Sequence, residues 1–137
     1  MDEHGVPLSL CVSGANRHDV TQLETVLDGV VVARPEPTAE TPQHLCADKG
    51  YFGAPAEAII TGRRYTPHVR QRGEEIKAKR EIPGYRPRRW VVEAANSWLN
   101  RFRKILVRYE KTESSYMALL HLACSIICWR KVGVIYG

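Results

Sequence analysis

The sequence predicts an α/β sheet domain, and three observations carry that prediction. Strand-like and helix-like patterns alternate over residues 5–70. From Trp90 onward apolar residues recur at helical spacing. A last run, 116–129, is apolar nearly all round. At 137 residues, with 44% hydrophobic and 26% charged residues, the chain has the composition of one globular domain with a single core.

Taken in order, "GVPLSLCVSG" (5–14) reads as a turn leading into an extended strand. "NRHDVTQLETVLDG" (16–29) reads as a capped helix with Val20, Leu23, Val26 and Leu27 on one face. Three prolines in "RPEPTAETPQ" (34–43) make a loop. "HLCAD" (44–48) is a short buried strand ending at Asp48, "KGYFG" turns the chain, and "APAEAIITG" (54–62) is a helix stopped by Gly62. "RYTPHVR" reads as another short strand, and "GEEIKAKREIPGYRPRR" has no apolar period and reads as loop. Beyond it, Val91, Ala95, Trp98, Phe102, Ile105 and Tyr109 form one helical stripe, with Glu93, Asn96, Ser97, Asn100, Arg101, Lys104 and Arg108 on the other face. A second long helix follows. Its 116–129 run is shorter than the roughly 20 residues a bilayer requires, so the expectation is a helix buried in protein and no membrane partner.

The formal charge is +5, and the excess is concentrated. Between Arg63 and Arg89, ten Lys or Arg side chains stand against three Glu, so the rest of the chain is net acidic. A clustered basic segment favours a polyanionic partner such as nucleic acid. The four cysteines lack the paired spacing of a secreted disulfide framework, and each sits among apolar residues; they read as reduced, buried thiols of a cytosolic protein. His121, Cys124 and Cys128 share a helix face without the spacing of a zinc module, so buried thiols are the plainer reading. The start "MDEHG" has no apolar stretch of the kind that opens a signal peptide.

Two acids invite a chemical reading. Glu93 is the only carboxylate in "RRWVVEAANSWLNRFRK" (88–104). It is either an ion-pair partner of Arg89, four residues earlier on the helix, or a ligand that holds a hard divalent cation together with Asp48. Asp48 likewise has two readings, since an Asp after a short strand often caps the following turn.

Resemblance favours the metal reading. "CADKGYFG", followed by "RRWVVEAANSWLNRFRKILVRYEK" and "ALLHLACSIICWRKV", resembles the carboxyl half of DDE transposases of bacterial insertion sequences, of the insertion-sequence-5 type. "GVPLSLCVSGANRHD" resembles the segment that lies between the first and second acids of that family. The resemblance implies an RNase H-like catalytic domain over 1–137, lacking its first strand and first catalytic Asp and ending in two long helices. It implies Mg²⁺ or Mn²⁺ as cofactor. It makes Asp48 of "ADKGY" the second catalytic, metal-binding acid and Glu93 of "RWVVE" the third. It further implies cleavage and strand transfer of DNA at element ends and target, a homodimer when complete, and a bacterial cytoplasmic, nucleoid-associated location. Arg86, Arg88, Arg89, Asn100, Arg101 and Lys104 are the expected DNA contacts.

The pattern departs from the family in two places: Tyr85 stands one residue too far from Arg89, and Asn100 occupies the position, seven after Glu93, where Lys is common. The absent first acid has two readings. An upstream reading frame supplies the missing segment, or the chain is a decayed remnant, a DNA-binding or regulatory fragment without activity.

Overall fold

A computed structural model describes residues 1–69, 77, 80–81 and 89–135, with only the backbone of Arg89, Trp90 and Ile135. The chain divides into two compact units, Ser13–Pro87 and Met1–Val12 with Arg88–Gly137. The first is called here the sheet unit and the second the helical unit.

The sheet unit begins with a 3₁₀ turn, Asp19–Gln22, which runs into α1, Leu23–Asp28. The helix expected over 16–29 is therefore shorter, and neither the turn nor α1 starts on a side-chain cap. The loop over 34–43 is as expected. Strand β1, His44–Ala47, leads through a 3₁₀ turn, Lys49–Tyr51, into α2, Ala54–Gly62. Strand β2, Thr66–Val69, then pairs with β1 in parallel. Parallel neighbours need a crossover, and α2 supplies it.

Helix α2 begins after Gly53, whose φ of 130° suits a residue without Cβ, and has proline in its first turn, where the missing N–H costs nothing. Its last residue is Gly62, as the sequence predicts, but that glycine is not the left-handed one. The residue in the left-handed region is Arg64, at φ 61°; the Arg64 and Tyr65 N–H groups donate to Thr61 and Ile60. The sequence placed the stop at Gly62 because glycine is the usual left-handed residue, but here an arginine takes that conformation and pairs with Glu36.

Leu23, Ala56 and Ile60 form the core of this unit, with Val20, Leu27, Leu45, Tyr51, Ile59, Tyr65 and Val69 packed against it. Alternation along β1 turns Leu45 and Ala47 inward and leaves His44 and Cys46 exposed, so the strand is covered on one face and is not buried as expected. Arg63 closes the rim: its guanidinium donates to Asp28 at 2.7 and 2.8 Å and to Glu24 at 2.9 Å, tying α1 to the end of α2. Arg34 stacks 4.0 Å above the Tyr65 ring and donates to the Arg63 carbonyl, which fastens the start of the proline-rich loop.

In the helical unit, Asp2 organises the first turn, its carboxylate accepting the N–H groups of His4 and Val6. Gly5 follows at φ 81°. A Cβ there would lie 3.2 Å from the Trp98 ring, so the turn needs glycine for conformation and for space. The strand expected after this turn is absent among the described residues. A strand is held by its ladder, and 5–14 pairs with no described strand.

The stripe from Val91 does not run through one long helix. Helix α3, Arg89–Leu99, ends as the Arg101 and Phe102 N–H groups turn back to Trp98 and Leu99 in tighter bonds. Phe102 is extended, and the short helix α4, Arg103–Leu106, follows. Val91 and Ala95 are buried, Trp98, Phe102 and Ile105 half-buried, and Tyr109, past the break, is 65% exposed.

Helix α5, Glu113–Ile135, starts on Thr112, whose Oγ1 accepts the Ser115 N–H at 3.2 Å. It packs on α3 and α4 through a face that buries Leu120, Ala123, Cys124 and Ile127. Lys131 lies 4.4 Å over the Trp98 ring. Polar residues at both ends extend this helix beyond the apolar run seen in the sequence. Over Glu113–Val134 it is long and apolar enough, by length and composition, to cross a membrane. It is not the buried helix expected, because Leu122, Trp129, Val132 and Val134 lie outside.

Of the segment expected as loop after β2, only Lys77, Arg80 and Glu81 are described, and their backbone is helical.

Candidate functional site

Asp48 stands at the carboxyl end of β1, where the chain leaves the parallel pair. Its backbone is extended and its Oδ1 accepts the Gly50 N–H at 2.9 Å, capping the 3₁₀ turn. A Cβ at residue 50 would come within 3.0 Å of that oxygen, so the glycine in "DKG" gives the carboxylate its seat. The capping role is thus real. It engages one carboxylate oxygen and leaves the side chain exposed to solvent.

Glu93 is the fifth residue of α3 and exposed, on the same polar face as Asn96, Ser97 and Asn100. Arg101, in the turn after α3, and Lys104, in α4, are exposed as well. Asp48 belongs to the sheet unit, and Glu93, Asn100, Arg101 and Lys104 to the helical unit. Arg86 and Arg88 lie outside the described residues, and of Arg89 only the backbone, at the start of α3, is described. Among the described residues no three His, Cys, Asp or Glu side chains gather as a metal-binding group.

Of the basic segment, the cationic side chains described are Arg63, Arg64, Lys77 and Arg80; the other side chains lie outside the described residues. Of the ten cations counted between residues 63 and 89, the first two are committed, Arg63 to Asp28 and Glu24 and Arg64 to Glu36. The Arg63 guanidinium holds the Asp28 carboxyl below its ordinary range. By contrast Arg101, Arg103, Lys104 and Lys111, all exposed, make no ion pair among the described residues. Arg108 lies over the Tyr116 ring at 5.1 Å and donates to the Glu110 carbonyl. Among the described residues, therefore, the helical unit carries several cations without an ion pair near its polar face. Arg103 and Lys104 also flank an apolar groove of about 220 Å³ lined by Phe102, Ile105, Leu119, Leu122, Ala123 and Ile126.

Among the described residues no disulfide joins the cysteines, but only Cys124 is buried; Cys46 is exposed, and Cys11 and Cys128 are half-buried. The expectation of four buried thiols fails where strand alternation or the edge of α5 turns them outward. Burial, with a smaller effect of neighbouring Cys128, pushes the Cys124 thiol up and keeps it protonated, while His121 is exposed. Sequence reasoning missed a histidine pair, His44 and His68, brought together by the strand register; nothing short of the register could have revealed it.

The sequence profile of the Transposase DDE domain matches residues 1–128. Over 134 residues the chain is 34% identical to the transposase proposed for insertion sequence element IS402 of Burkholderia cepacia, an alignment covering 93% of this chain and 59% of that relative. No solved structure matches. With the "ADKGY" and "RWVVE" motifs placed at a strand end and on a helix, the family is shown: the chain belongs to the DDE transposases of insertion sequences.

Proposed function

We propose that this chain is the carboxyl-terminal part of an RNase H-like catalytic domain whose complete enzyme cuts DNA at the ends of an insertion element and joins the freed 3′ ends to target DNA. Asp48 and Glu93 are its second and third metal-binding acids. The observation that carries the reading is the position of Asp48 at the carboxyl end of a parallel strand, where open α/β sheets bind their ligands, in a motif that matches the family.

Both acids offer exposed carboxylate oxygens, the donors that Mg²⁺ and Mn²⁺ prefer, so the residues present suit a hard cation. Bound there, such a cation would polarise the scissile phosphate and the attacking oxygen. Asp48 holds its carboxylate in place through the Gly50 N–H, and Glu93 presents its own from the polar face of α3. Arg86, Arg88, Arg89, Asn100, Arg101 and Lys104 grip the DNA backbone, with Lys and Arg supplying phosphate contacts and Asn100 a hydrogen bond in place of the usual lysine. The first acid comes from an upstream segment, in one chain or through an overlapping frame, and the complete enzyme works as a homodimer across paired ends.

A second reading, in which Asp48 only caps its turn, is favoured by the Gly50 hydrogen bond alone. The two separate by substitution, because Asn caps as well as Asp but lacks the charge that binds metal. In the transposase that contains this chain, Asp48→Asn and Glu93→Gln should each lower Mg²⁺-dependent cleavage of an element-end DNA by at least about 10²-fold, the scale of a misplaced reacting group, without lowering the melting temperature. Cleavage retained in Asp48→Asn would leave Asp48 a cap, and retained in Glu93→Gln would remove the third acid.

A further inference from the structure

The proposed transposition chemistry makes no use of the histidine pair in the sheet unit. His44 opens β1, and His68 lies in β2 as the register partner of Cys46. Period-two alternation puts His44 and Cys46 on the face of β1 that the core does not cover. On that side His44 Nδ1 and His68 Nε2 approach to 2.7 Å, with ring centroids 4.7 Å apart and planes inclined at 55°.

Two imidazole nitrogens this close point their lone pairs at one locus, which in the apo protein holds a single shared proton. A cation of the zinc class bonds to imidazole nitrogen at about 2.0–2.1 Å, so two such bonds near right-angled or tetrahedral geometry set the nitrogens about 2.9–3.4 Å apart. Reaching that geometry from 2.7 Å opens the pair by a few tenths of an ångström and turns the exposed His44 ring so that its lone pair aims off the line of the hydrogen bond. Nitrogen ligands select borderline cations such as Zn²⁺, Ni²⁺ or Cu²⁺ over Mg²⁺, which keeps to oxygen.

We propose that His44 and His68 form a two-imidazole site for a borderline transition-metal cation, distinct in ligand chemistry from the carboxylates of the transposition reading. The cation takes the place of the shared proton. Among the described residues no third His, Cys, Asp or Glu completes the group. Because the two ligands come from different strands, the cation clamps β1 to β2, the pair whose first strand runs into Asp48.

The test is to follow the imidazole nitrogen resonances of the 137-residue chain by NMR while adding ZnCl₂ or MgCl₂. Zn²⁺ should move the His44 and His68 signals at the first equivalent, before those of His4, His18 and His121, and Mg²⁺ should move none of them. His68→Gln should abolish the response of His44, and Cys46→Ser should leave both responses intact. If His68→Gln does not fold, His44→Gln read at His68 decides the same point. The proposal is overturned if another histidine responds first, if His44 responds without His68, or if Cys46→Ser removes the response.

Discussion

The sheet unit closes a small core and ties its rim through Arg63 and Arg64, although Val31, Val32 and Phe52 stay exposed, whereas the helical unit leaves large apolar side chains exposed along its longest helix and makes no such tie among the described residues. In the sheet unit Ile60 is fully buried and Arg63 bridges both acids of α1 across the rim. In the helical unit Trp129 is 81% exposed, Val134 77% and Leu122 58%, and a row of cations stands without acid partners among the described residues. The difference has a physical origin. A βαβ unit with a helix on one face closes a core with few residues, while a helix that is apolar nearly all round has more apolar surface than α3 and α4 can cover. Arg101, Arg103 and Lys104, which make no ion pair among the described residues, belong to the unit that carries Glu93, and the paired Arg63 and Arg64 hold the sheet unit that carries Asp48.

The largest effect should come from the cores. Ile60→Ala removes a fully buried side chain at the centre of the sheet unit, so it should cost about 2–5 kcal/mol. Trp129→Ala, at an exposed position, should stay within about 0.5 kcal/mol. Urea unfolding of the two variants measures both. Equal losses would mean that the outer face of α5 is covered in solution and the contrast between the units is wrong.

Charge pairing can be tested through DNA. If unpaired cations contact phosphate, replacing Arg101 and Lys104 with Ala should reduce the slope of log affinity against log salt by about 2, one for each lost phosphate contact. Replacing Arg63 and Arg64, already committed to Asp28, Glu24 and Glu36, should leave that slope unchanged. A filter-binding or anisotropy series in NaCl separates the two. The opposite ranking would move the DNA surface to the sheet unit.

The smallest effect is acid dependence. Arg63 lowers the Asp28 pKa in the folded chain, so this contact stabilises above the carboxyl's unfolded value and is lost as pH falls through the folded one. Arg63→Gln should therefore lower stability near neutral pH, and the difference from the parent should vanish at about pH 2, below the ordinary carboxylate range. A difference that persists in acid would assign the role of Arg63 to packing of its aliphatic stem.

Local signals were strong enough to be read wherever one residue type forces one conformation. Proline closed off the 34–43 loop, "APAEAIITG" marked α2 to its last residue, and "HLCAD" and "RYTPHVR" marked the two strands. The motifs around Asp48 and Glu93 identified the family from the sequence alone, and Glu93 lies on the polar face that helical periodicity assigned to it. These features depend on neighbours within a few residues, which the sequence displays directly.

What only the tertiary structure decided depends on partners far along the chain. The segment after Gly5 has the pattern of a strand but no described ladder to join, and the stripe from Val91 breaks at Asn100 so that Phe102 and Ile105 turn toward α5. Arg63 and Arg64 counted as free positive charge until Asp28, Glu24 and Glu36, between 28 and 39 residues away, were found beside them. His44 and His68 meet because parallel pairing sets Cys46 opposite His68, and a shift of one residue in that register would send their side chains to different faces. Spacing along the chain records which face a residue takes, but contact between faces is set by packing, in which each pairing depends on all the others.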